Sequence, residues 1–87
     1  MELKRGSVVL TLRGRDKNRL MCVVEVKLNG VYVCDGKERK LTNPKLKNPK
    51  HIKPVGTELY EKQMSSDRSV RKALNLIREA DLCQNRI

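Results

Sequence analysis

Up to residue 36 the sequence alternates short β-branched runs with paired turn formers, and that alternation constrains the fold most: it specifies a meander of short antiparallel strands. Gly6 to Arg13 reads GSVVLTLR, aliphatic and without helical periodicity. Gly14 opens a polar turn, GRDKNR. Leu20 to Leu28, LMCVVEVKL, is a second strand, with Cys22, Val24, Val26 and Leu28 on one face by the period of two and Glu25 and Lys27 on the other. Asn29-Gly30 predicts the next hairpin, since both residues tolerate positive φ. Val31 to Cys34 is the third strand, ended by the turn pair Asp35-Gly36.

Beyond residue 36 the punctuation changes. Lys37 to Thr42, KERKLT, is expected to add a short fourth strand. Asn43 to Lys50, NPKLKNPK, is expected to be a loop, because each Asn-Pro forms turns and Pro cannot donate to a ladder. His51 to Val55 then closes a small barrel as a fifth strand. The expected architecture is therefore mostly β: an SH3-like barrel of about five strands over residues 1–56, a connector at 57–65, and one C-terminal α-helix over 66–83. Ser65, Ser66 or Asp67 can cap that helix. Val70, Ala73, Leu74, Ile77 and Ala80 follow the spacing of one helical face, and Arg68, Arg71, Lys72, Arg78 and Glu79 occupy the rest. The apolar stripe is expected to pack on the barrel, with docking on a partner as the alternative.

With two Tyr and no Phe or Trp, the core of this 87-residue chain must be aliphatic. Its formal net charge is +10, an excess that signals a polyanionic partner. The excess is not spread evenly. Residues 4–53 hold fourteen basic and four acidic side chains, whereas residues 54–87 hold six and five.

Two basic groups stand out. In the first turn, Gly14 lets a phosphate or sugar approach the main chain, and Arg13, Arg15, Lys17 and Arg19 surround that point. Arg grips phosphate with two prongs, and Lys acts as a point charge. From residue 37 to 53 there are seven cations, Lys37, Arg39, Lys40, Lys45, Lys47, Lys50 and Lys53, and one acid, Glu38, with His51 as a further expected RNA-contacting residue. Joined on one rim, the two groups would form a phosphate-binding surface reading folded RNA by shape and backbone. Base stacking is disfavoured, as Tyr32 is the one aromatic within the barrel segment.

The pattern Gly6, Val8, Gly14, Arg19, Leu20, Val24, Val26, Asp35, Gly36 resembles the KOW motif, a strand, a glycine, a basic turn and a second strand. It is similar to the KOW-containing large-subunit ribosomal proteins of the L-fourteen-e group and to the small bacterial KOW proteins, over about residues 4 to 55. The resemblance implies an RNA-binding protein of the translation machinery, with ribosomal RNA and the ribosome or an assembling subunit as partners. The second glycine of the family's turn is Asn18 here, which leaves the left-handed geometry accessible and keeps Asn18, with Gly14, among the residues the resemblance implies at the RNA.

Other classes find little support in the residues. Asp16, Glu25, Asp35 and Glu38 are scattered, and no nucleophile elbow, Walker loop or metal-ligand cluster is present, so no enzymatic activity, metal or cofactor is expected. Cys22, Cys34 and Cys83 lack paired spacing. No apolar stretch suits a membrane span or a signal peptide, so a cytoplasmic protein, monomeric when free, is expected. The alternative function is a KOW-type or SH3-like protein-interaction module of the transcription or translation apparatus.

Overall fold

The computed structural model describes residues 3–15 and 17–84, with residues 80–84 described by their backbone alone. Five strands, β1 (Ser7–Thr11), β2 (Leu20–Lys27), β3 (Gly30–Cys34), β4 (Lys45–Lys47) and β5 (Ile52–Glu58), form one antiparallel sheet in the order β4-β3-β2-β1-β5. A helix, α1 (Asp67–Gln84), follows. The mostly-β fold with a C-terminal helix is the expected one, but the barrel does not close. β4 and β5 are the two edges of the sheet, joined by a 3-10 turn at Pro49–His51 rather than paired with each other.

Both faces of β1, of β3 and of the first half of β2 are largely buried, so these stretches read as continuous apolar runs rather than as alternation. Val8, Cys22 and Cys34 lie side by side in the ladder and face α1, where Leu59, Met64, Val70, Ala73 and Leu74 cover them. Val9, Met21, Val23, Val31 and Val33 point the other way and meet Ile52 of β5 in a second cluster. Each such side chain withdrawn from water contributes roughly 1.5–3 kcal/mol. The helix thus docks on the sheet. Ser66 caps it, its Oγ accepting from Ser69 N at 3.1 Å.

The single-face pattern expected along β2 breaks at a bulge between Val23 and Glu25. Cys22 is buried and Val24 half-buried, but Val26 and Leu28 emerge into solvent. The hairpin turn falls one residue earlier than expected: Lys27 pairs with Gly30, so Leu28 and Asn29 form the turn and Gly30 begins β3.

Two expectations past residue 36 are corrected. Lys37–Thr42 is not a strand. Asp35 Oδ1 accepts from the backbone N of Lys37 and of Arg39, both at 2.9 Å, and Leu41 N donates to Asp67 Oδ1 at 2.7 Å. These local partners curl the segment and leave only an isolated bridge between Lys40 and Asn43. The carboxylate at Asp67 ties this loop to the first residue of α1, and Gly36 packs so closely there that a Cβ would collide with the Asp67 carbonyl oxygen. The strand expected at 37–42 lies instead within the presumed loop NPKLKNPK. Pro44 and Pro49 flank Lys45–Lys47, so neither missing N–H falls in the ladder. Pro54 sits within β5, which pairs only with β1 and can leave that position without a donor. β5 also continues to Glu58, three residues past its expected end, and a 3-10 turn at Glu61–Met64 occupies much of the connector.

Candidate nucleic-acid interface

Thr11, fully buried at the end of β1, closes the turn between β1 and β2. Its N donates to Arg19 O at 3.0 Å, its Oγ1 accepts from Arg19 N at 3.2 Å, and its carbonyl accepts from Asn18 N at 2.7 Å. The chain reverses through two left-handed positions, Gly14 at φ +87° and Asn18 at φ +66°. Asn18 is the one non-glycine residue with positive φ among the described residues, as its place in the turn predicts. Arg13, Gly14, Arg15, Lys17 and Asn18 are all exposed.

This turn touches both halves of the second basic group. On one side Leu12 N donates to His51 O at 2.8 Å, which seats the turn against Pro49–His51 and brings exposed Lys50 alongside. Lys47, opposite Val31 in the ladder, is buried rather than displayed on a loop. Its Nζ lies 3.4 Å from where a Cβ on Gly14 would stand, so its charge sits at the base of the turn. On the other side Arg19 reaches the loop after β3, with Nη1 at 3.0 Å from Glu38 Oε2 and 3.8 Å from Asp35 Oδ2. Arg19 is therefore a strut compensated by two carboxylates, not a free cation. Arg39 is half-buried in the same loop, its backbone bonded to Asp35. No hydrogen bond or ion pair among the described residues joins the side chains of Lys40, Lys45 or Lys53 to the turn; Lys53 stands on β5 opposite Leu10.

Compensation divides the cations. Lys4 pairs with Glu58 at 3.4 Å, Arg5 with Glu61 at 2.7 Å and Lys27 with Glu25 at 3.8 Å. By contrast, the side chains of Arg13, Arg15, Lys17, Lys37, Lys40, Lys45, Lys50 and Lys53 form no ion pair among the described residues. Tyr32 lies apart from them on the hairpin, its ring under Lys27 Nζ at 5.5 Å and its hydroxyl taking a hydrogen bond from Asn29.

The sequence reading missed a further cationic element. Arg71, Asn75 and Arg78 recur on one stripe of α1 and, with Arg19, Lys37 and Asp35, line a groove of about 220 Å³ between the helix and the start of β2. The near balance of charge along residues 54–87 hid it, because Glu58 and Glu61 fold back onto Lys4 and Arg5. The i, i+4, i+7 spacing of these three polar residues was the available signal.

Among the described residues, no group of three or more His, Cys, Asp or Glu side chains is placed to hold a metal ion. Burial pushes the thiols of Cys22 and Cys34 up to about 12. No helix of the described residues is long and apolar enough to cross a membrane. Comparison of the sequence with protein-family models and with curated proteins returned no match.

Proposed function

We propose that this chain is an RNA-binding protein of the translation machinery that holds structured ribosomal RNA through its phosphate backbone. The contact surface is the rim built by the β1–β2 turn, the loop after β3 and the Lys45–Lys53 segment. The observation that carries this reading is the segregation of compensated and uncompensated charge. Acids partner the cations at Lys4, Arg5 and Lys27, while Arg13, Arg15, Lys17 and Lys50 around the turn have no carboxylate partner among the described residues. Cations held close together repel one another, and a polyanion relieves that cost. The exposed Gly14 backbone suits the approach of a sugar-phosphate chain. The scarcity of aromatic side chains favours recognition of folded RNA by shape and backbone. The resemblance of the turn to the KOW motif supports ribosomal RNA as the ligand and a ribosomal or ribosome-associated role in the cytoplasm.

The test is a salt series. Binding of the whole chain to folded ribosomal RNA fragments is expected to weaken linearly in log–log form, by about 0.7–0.9 per phosphate contacted. Binding indifferent to salt sinks the reading. Folded RNA is expected to outcompete duplex DNA. Co-sedimentation with ribosomes that survives both high salt and RNase would point to a protein contact instead.

A further inference from the structure

The groove against α1 has a charge imbalance that its own residues do not correct. Leu20 and Leu74 supply its apolar lining, and four cations, Arg19, Lys37, Arg71 and Arg78, face a single carboxylate, Asp35. That carboxylate is already committed. One oxygen accepts from the backbone N of Lys37 and Arg39, and the other faces Arg19 at 3.8 Å. Arg19 is further held by Glu38. Arg78 donates to Asn75 Oδ1 at 2.7 Å, a neutral partner that orients the guanidinium without cancelling its charge. Lys37 and Arg71 have no acidic partner among the described residues. Three cations from two separate elements thus line one concave site, beside Leu20 and Leu74, with no acidic partner of their own among the described residues.

The chemistry that fits is a tetrahedral oxyanion. Arg offers paired donors matched to phosphate oxygens, and Lys37 adds a point charge from the opposite wall. Arg19 links the groove to the rim, since it is both the last residue of the β1–β2 turn and part of the groove lining. We propose that the groove seats a backbone phosphate of the same RNA, so that the footprint runs from the Gly14 turn onto the face of α1. This rests on the RNA-binding reading above and adds a site contributed by the helix.

The decisive experiment compares four whole-chain proteins on one structured RNA hairpin by fluorescence anisotropy across a salt series: the wild type, the groove variant Arg71→Ala with Arg78→Ala, its charge-keeping counterpart Arg71→Lys with Arg78→Lys, and the turn variant Arg15→Ala with Lys17→Ala. The groove variant is expected to bind about tenfold more weakly at low salt, with a log–log slope shallower by about 1–2. Wild-type affinity and slope in that variant, while the turn variant is weakened, overturn the groove and leave the rim standing. Absence of binding by the wild type removes the RNA reading and the groove with it. Arg71→Lys with Arg78→Lys, which keeps both charges, is expected to retain the wild-type slope; a slope lost there as well would mean that shape rather than charge matters, and would also overturn the assignment.

Discussion

The guanidinium of Arg19 stands 3.0 Å from a carboxylate oxygen of Glu38, bridging the β1–β2 turn and the loop that follows β3. Both side chains are about half exposed, 41% and 56%, so the pair adds little stability, within about 1 kcal/mol. Its larger effect is to neutralise one cation beside Arg13, Arg15, Lys17 and Lys50, which have no ion pair among the described residues. Glu38→Gln is therefore expected to raise RNA affinity several-fold and to steepen its salt dependence, with thermal stability almost unchanged. Anisotropy titration with a melting curve checks this, and weaker binding by the variant would count against an electrostatic rim.

Arg15 and Lys17 are exposed, outside both hydrophobic clusters and without ion pairs among the described residues. The double change Arg15→Ala with Lys17→Ala is expected to cut RNA affinity by about tenfold or more while leaving the far-ultraviolet spectrum and Tm as they were. Unchanged affinity would move the contact elsewhere on the surface.

Asn18 holds a left-handed backbone at φ +66° with its N bonded to Thr11 O. A β-branched side chain there meets a steric penalty of about 1–2 kcal/mol, whereas glycine meets none. Urea denaturation should show Asn18→Val destabilised by about that amount and Asn18→Gly at least as stable as the parent. Equal midpoints for all three proteins would contradict the turn geometry.

Cys22 and Cys34 are directly opposite in the β2–β3 ladder, and burial raises both thiols from about 9 to about 12. Their folded pKa values lie above the unfolded ones, so the stability they contribute is fully present below about pH 9. It is lost as the pH rises from about 9 to about 12, because thiolates form first in the unfolded chain. Alkylation mapped by mass spectrometry should find both residues protected in the native protein at pH 8 and modified quickly in urea. Stability measured against pH should fall above 9.

The three central strands were legible because VVLT, MCVV and VYVC are unbroken apolar runs between turn pairs, and burial on both faces needs such runs. The β4 segment was not, because proline was read as a marker of the whole segment when only its position relative to the ladder matters: Pro44 and Pro49 bracket Lys45–Lys47 without entering it. The misplaced hairpin turn has a similar origin, since the strand register puts Gly30 inside β3. At the candidate site, the two left-handed turn positions followed from local chemistry. That Lys47 is buried and Arg19 compensated did not, because both depend on partners brought in by the tertiary fold. The groove against α1 is the extreme case. Net charge summed along the chain cannot reveal that the acids of the last third pair with the first few residues.

A sheet that stays open has two borders along which backbone groups lack strand partners, and such borders invite strands from other copies of the chain. Here one border carries Pro54, which cannot donate, and the other is only three residues long and begins with the exposed Lys45. Proline, brevity and lysine charge all oppose edge-to-edge growth. The lysine charge that lies along the proposed RNA-binding rim therefore also opposes self-association, and replacing Lys45 with an apolar residue is expected to favour pairing between copies at that border.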